Sequence, residues 1–187
     1  MLRQCFWVSV VGLVWASSIG GAAAHEMPYE FEDTHIAVSI ERFMGVDYID
    51  AEGPGGGDAT ARIFLNASDA YPTTSARLGF DVFVKRLSIG LAGGFTTEDT
   101  AIVAPRVGYM FGLTPTVGLW LRAGGFYEAT PGPNYFGVTA EALFAWFPYP
   151  IFCFTFGPTL DLAFADDDTT PNYLQLGIPE VGVTAIF

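Results

Sequence analysis

From His35 to the C-terminus, apolar residues recur at every second position, the period of a half-buried strand and not of a helix. "HIAVSIE" sets Ile36, Val38 and Ile40 on one face and His35, Ala37, Ser39 and Glu41 on the other. "ARLGFDVFVKR" sets Leu78, Phe80, Val82 and Val84 against Arg77, Gly79, Asp81, Phe83 and Lys85. The same alternation runs through "LSIGLAGGF", "IVAPRVGYMFG", "TVGLWLRAGGFYE", "YFGVTAEALFAW", "FCFTFGPTLDLAFA" and the stretch from Tyr173 to Phe187. Eight strands are predicted. "ATARIFLNA", Ala59 to Ala67, also alternates; it is expected as an ordered part of the first long connection or a strand extension, since a ninth strand would break the even count. Pro105, Pro158 and Pro179 fall inside strands, where proline belongs at edges or bulges. Around Pro179-Glu180 the alternation slips by one residue, as a bulge would cause.

The connections alternate as strictly as the side chains. Tight turns fall at Lys85-Arg86, at "LTPT" (Leu113 to Thr116) and at "PYP" (Pro148 to Pro150). Between them lie longer or acidic connections: about Gly45 to Thr74, Thr96 to Thr100, Glu128 to Asn134 and Asp166 to Asn172. Both ends of the strand region fall on the tight-turn side.

Composition now decides which face is out. Apolar residues make up 51% of the 187 and charged residues 15%, against about 25% charged in soluble chains. The second face of each strand is mostly Gly, Ala, Ser and Thr with one or two charges. A soluble barrel of the lipocalin kind would point its apolar face inward and need many Lys and Glu outside. The large, aromatic face therefore points outward, toward lipid, with girdles at Tyr109, Phe111, Trp146, Tyr149 and Phe152 on the tight-turn side and at Tyr127, Tyr135 and Tyr173 on the loop side.

The first residues read as a cleaved secretory leader. Arg3 precedes the apolar run Cys5 to Trp15, and Ala22-Ala23-Ala24 fits an A-x-A cleavage site. The expected organisation is a leader at 1–24, a short periplasmic segment at 25–34 and a barrel at 35–187. Cleavage removes Cys5 and leaves Cys153 as a lone apolar filler. A formal charge of −12 argues against nucleic acid as a partner.

With these strands, turns and leader, and the terminal "VGVTAIF", the chain resembles the small eight-stranded bacterial outer-membrane barrels, the OmpA/OmpX-like group, over about His35 to Phe187. The resemblance implies an all-β, eight-stranded antiparallel up-and-down transmembrane barrel in the outer membrane of a Gram-negative bacterium. It implies partners too: outer-membrane lipid, lipopolysaccharide and the barrel-assembly machinery, for which Phe187 is the assembly signal. A monomer is expected.

On this reading the lumen holds the acids Glu41, Asp81, Glu141 and Asp161 and the bases Arg77, Arg106 and Arg122, with Lys85 at the rim. Charges in so narrow an interior must be paired, so an interlocked ion-pair network is predicted. It either fills the lumen or gates a narrow ion path. The long connections carry Asp47, Asp50, Glu52, Asp58, Asp69, Glu98, Asp99, Glu128 and Asp166-Asp167-Asp168. They read as solvated acidic loops, open to an extracellular ligand or to divalent bridging of lipopolysaccharide, but without the spacing of a calcium loop. "NAS" at Asn66 fits a glycosylation acceptor, relevant only in a eukaryotic secretory route. Some barrels of this size are lipid A-modifying enzymes. Here His25 and His35 both fall on the tight-turn side, and no nucleophile elbow, metal-protease motif or phosphate loop appears. No catalytic residue, cofactor or metal site is assigned. The leading expectation is a non-enzymatic structural or surface protein, then a narrow channel, then an outer-leaflet lipid enzyme.

Overall fold

A computed structural model describes residues 33–52, 60–65, 76–95, 99–167, 170 and 172–187. The leader, most of the segment at 25–34, and the loop acids Asp58, Asp69, Glu98 and Asp168 lie outside these residues, as does Asn66. The strands are β1 (Thr34–Glu52), β2 (Thr60–Leu65), β3 (Arg77–Val84), β4 (Leu87–Phe95), β5 (Ala101–Thr114), β6 (Val117–Ala129), β7 (Tyr135–Tyr149), β8 (Phe152–Ala165) and β9 (Asn172–Ile186). Neighbours pair antiparallel in chain order from β3 to β9, and β1 pairs with both β3 and β9, closing the sheet.

The short β2 does not add a position to the ring. β1 pairs with β3 through Thr34–Glu41 and with β2 through Met44–Ile49, while β9 runs along its other edge. β2 therefore continues the line of β3 toward the loop end. The extra alternating segment is a strand extension, and the barrel has eight strands around.

The seam is irregular in two places. Between Ile40↔Val183 and Met44↔Val181, β1 spends three residues against one of β9, and Arg42 takes a left-handed φ of 52°. On β9, the consecutive residues Ile178 and Pro179 both face outward, and the ladders to β8 and β1 each shift beside them. Pro158 lies at the same shift on β8. Two prolines that have no N–H to donate thus share one gap in the ladder. The slip in the sequence at Pro179-Glu180 is a bulge.

Outside, the wall is apolar. Leu78, Ile89, Val107, Phe136 and Phe164 are among many large exposed hydrophobics. Cross-strand aromatic pairs run along β7 and β8, with Phe144 stacked on Phe156 and Trp146 on Phe154, each at a centroid distance of 5.7 Å. Among the described residues, no Asp, Glu, Lys or Arg faces outward from β3 to β9. Tyr109, Phe111, Tyr127, Trp146 and Tyr149 are exposed as the girdles require. Tyr173 is not: it is buried in the lumen, with Tyr135 packed on the same cluster at 5.2 Å between centroids. Both belong to the inside of the loop end because Tyr173 keeps the inward parity of Gln175 and Gly177.

Inward glycines let the narrow lumen hold large charged side chains. Gly124 is such a site. A Cβ added there would collide with Pro105 O and come within 2.9 Å of Arg106 Cα, both backbone atoms. Gly124→Ala is expected to lower stability by about 1–3 kcal/mol through overpacking, read as urea unfolding in detergent micelles. Gly132→Ala, on a loop where the nearest neighbour would be Thr130 Oγ1 at 3.7 Å, should stay within about 0.5 kcal/mol of the parent.

Candidate functional site

The lumen is filled in three layers. At the tight-turn end lies an apolar layer of Phe83, Met110, Trp120, Phe147, Cys153 and Ile186 with smaller neighbours. Phe83 and Trp120 have no exposed surface and pack at 5.1 Å between ring centroids. At the loop end lies a second apolar layer: Ala92, Ile102, Ala104, Phe126, Ala163 and Tyr173. The charged side chains lie between them.

All seven predicted lumen residues are buried and inward. Arg106 grips two acids. Its Nη2 lies 2.7 Å from Glu41 Oε1, its Nε lies 3.0 Å from Asp81 Oδ1, and Nη1 and Nη2 pair again with Glu41 Oε2 and Asp81 Oδ2. Arg122 joins Glu41 (2.7 Å) to Glu141, and Ser39 Oγ donates to Glu41 Oε1 at 2.6 Å. Arg77 lies 3.9 Å from Asp161. The network is anchored to the layer beneath it. Arg122 lies 4.4 Å above the Trp120 ring, and Trp120 Nε1 donates to Ser88 Oγ at 3.0 Å. A cation over an indole in a dry setting is attractive by about 2 kcal/mol.

Two members were missed by strict alternation. Arg42 donates to Glu141 Oε1 at 2.9 Å, to both oxygens of Asp161 and to Thr139 Oγ1 at 3.3 Å, and its Nε lies 3.0 Å from Glu180 Oε2. It is the hub that ties β1 to β7, β8 and β9. The bulge on β1 turns Glu41 and Arg42 inward together, and the bulge on β9 returns Glu180 to the lumen. A signal existed for both. Arg42 next to Phe43 would otherwise stand on the lipid face, and the slip at Pro179 reverses the parity of Glu180.

Glu128 is also placed differently from its reading as a loop acid. It lies in β6, fully buried, and accepts a hydrogen bond from Tyr173 Oη at 3.2 Å. Of the loop acids described with side chains, Asp166 accepts from the backbone N (3.0 Å) and Nδ2 (2.8 Å) of Asn134, joining two connections, and Asp167 caps Thr170 N at 2.6 Å. Among the described residues no cluster of three or more His, Cys, Asp or Glu is arranged to hold a metal. Lys85 is exposed at the tight-turn rim, and His35 pairs in register with Phe83 at that same end. Phe187 is 68% exposed, while its backbone N and O both bond to Ile36, at 2.8 and 3.0 Å.

A buried ion pair often stabilises little over an apolar substitute, yet removing one partner strands the other and costs about 3–5 kcal/mol. Arg106→Met would take from Asp81 the arginine that grips it and leave Glu41 with Arg122. It is expected to cost that much in urea unfolding, while Lys85→Met at the exposed rim should stay within about 0.5 kcal/mol.

No protein-family model matches the sequence, and none of the curated proteins does. Solved structures do align. Neisserial surface protein A shares 10% identity, with a TM-score of 0.50 over 81% of this chain and 96% of that one. The N-terminal β-barrel domain of Pseudomonas aeruginosa OprF shares 10% identity, with a TM-score of 0.48 over 83% and 98%. The chain has the closed eight-stranded antiparallel barrel fold found in small bacterial outer-membrane proteins.

Proposed function

We propose that this chain is a monomeric outer-membrane barrel of a Gram-negative bacterium with a sealed lumen. Its role is structural or surface-facing and involves no catalysis. The leader at 1–24 would export it, and the barrel-assembly machinery would insert it. The observation that carries this reading is the outer wall. An exterior without one charged side chain from β3 to β9 would aggregate in water, and it is what a bilayer requires. Length supports the same reading. β5 to β9 run 14, 13, 15, 14 and 15 residues, more than the roughly 9–11 that a tilted strand needs to cross.

In this placement the tight turns face the periplasm and the long connections face outward, carrying Asp99, Asp166 and Asp167 to the surface. Those loops are the place for contact with lipopolysaccharide or an extracellular ligand. A channel role is disfavoured by the two apolar layers, since an ion would have to pass both Trp120 with Phe83 and Phe126 with Tyr173. An outer-leaflet enzyme is disfavoured by the position of His35 at the opposite end. The Phe187 side chain stands exposed on a seam already stitched through its backbone, which suits a signal read during assembly.

Planar-bilayer recording of the refolded protein tests the sealed lumen: silence is expected, and a steady open pore would make the channel reading the better one. For the terminal signal, deletion of Phe187 is expected to reduce the amount of heat-modifiable, folded barrel in the outer membrane. Insertion at the parental level would remove the assembly role.

A further inference from the structure

The described lysine and arginine side chains fall into two groups. Arg42, Arg77, Arg106 and Arg122 are buried in the lumen. Lys85 and Arg86 make up the rest, and both stand on the β3–β4 turn, Lys85 exposed and Arg86 half-buried. The other two tight turns, Leu113 to Thr116 and Pro148 to Pro150, carry no charge. Neither Lys85 nor Arg86 has an ion-pair partner among the described residues. Asp33 is exposed at the same rim, next to Thr34, which pairs with Val84, yet it bridges to neither cation.

The turn keeps its lysine against the preference of the backbone. It is two residues long and joins Val84 to Leu87, which pair with each other. Two-residue hairpin turns place a positive φ on Gly, Asn or Asp as a rule. Here Lys85 takes a φ of 56°, a conformation that strains any residue with a Cβ. Asn or Gly would serve the turn better, so the fold alone does not account for Lys85. The backbone is fixed from the next strand, where Met110 N donates to Arg86 O at 2.9 Å. The shortness of the turn also holds both charges at the edge of the apolar wall. Its neighbours Val84 and Leu87 face outward, 53% and 47% exposed, and Ile89 continues that face. Tyr109 lies opposite Leu87 in register, its ring 4.7 Å from that of Phe111, and such rings favour the headgroup level of a bilayer.

We propose, building on the membrane placement above, that the Lys85-Arg86 turn binds the headgroup of one anionic phospholipid, of the phosphatidylglycerol class, in the leaflet at the tight-turn end. The phosphate lies between the Lys85 ammonium and the Arg86 guanidinium, and the acyl chains run along Leu87 and Ile89. The fit has three parts. Two cations stand without a described protein partner. A lysine is kept where an uncharged residue would be less strained. An apolar wall begins one residue away on either side of the pair. Arginine offers a phosphate a fork of donors and lysine a point charge, so together they recognise the headgroup. The chain as a whole carries a formal charge of −12 and repels anions, which directs an anionic headgroup to this turn.

Spin-labelled lipids test the site. The protein is refolded into phosphatidylcholine vesicles holding a trace of spin-labelled phosphatidylglycerol or of spin-labelled phosphatidylcholine, and the motionally restricted fraction of each label is measured. One basic residue at a membrane surface favours an anionic lipid about fivefold. The parent protein is therefore expected to restrict phosphatidylglycerol over phosphatidylcholine at low salt. It should lose that preference at about 1 M sodium chloride, where the screening length falls to about 3 Å. Lys85→Asn combined with Arg86→Gln is expected to remove the preference and still fold, because Asn suits the left-handed position. Equal restriction of the two lipids by the inserted parent would overturn the site and leave the membrane placement standing. A preference that persists in the double variant would overturn it by placing the headgroup elsewhere. Failure to insert into any vesicle would remove the membrane placement and the site with it. Should the double variant not fold, the salt response of the parent decides, since a preference unchanged by salt would overturn the site.

Discussion

Closure of β1 against β9 is the constraint on which the rest depends. A sheet edge left open in a bilayer leaves backbone N–H and C=O groups unpaired at several kcal/mol each, and only a closed ring avoids this. The two strands meet from Ala37↔Ile186 to Glu52↔Asn172, but they do so through bulges on both partners. Those bulges supply the lumen with its hub. Extra residues at Arg42 on one strand and at Ile178-Pro179 on the other put Arg42 and Glu180 inside, at the height of Glu141 and Asp161. The seam is therefore closed twice, by its backbone ladder and by one guanidinium that reaches across to three other strands.

The layering of the interior follows from electrostatics and packing together. An ion pair exposed to water is worth little, about 0–1 kcal/mol. Sealed between apolar layers it is unscreened, and every unmatched partner becomes expensive. Trp120 serves both sides of this division. Its ring closes the lower layer against Phe83, its face carries Arg122, and its Nε1 is satisfied by Ser88. The glycines opposite the long side chains belong to the same arrangement. Gly79 stands beside the side-chain ends of Ser39, Glu41 and Arg106 at distances below Cβ contact, so a side chain there would shift the network from its present geometry.

Much of this was legible in the sequence because a strand's side-chain period is two and one face is apolar while the other carries the charges. Inward Glu41, Arg77, Asp81, Arg106, Arg122, Glu141 and Asp161 follow from parity alone. What parity cannot supply is a change of parity. Arg42 and Glu180 needed the bulges: the second left a mark in the slip at Pro179, and the first only in an arginine standing at an outward position of the alternation. Tyr173 and Glu128 failed for another reason. Both lie within two residues of a strand end, where an aromatic or an acid fits equally well on a girdle, on a loop or in the lumen. Their mutual hydrogen bond, across a sequence separation of 45 residues, is tertiary. The role of 60–65 was half visible: alternation showed a strand, but only the register on β1 shows that it extends β3.

A lumen spent on its own packing moves any recognition to the rim and the loops. The described loop contacts fit that division of labour. Asn134 and Asp166 bind one another through backbone and side chain, joining the β6–β7 and β8–β9 connections directly above the wall. Beneath them, Tyr135, Tyr173 and Phe126 close the loop end of the interior. Changes further out along the connections therefore need not disturb the ion layer, which is separated from them by an apolar floor. In the other direction, Tyr173 links the loop end to the interior among the described residues, through its hydrogen bond to Glu128.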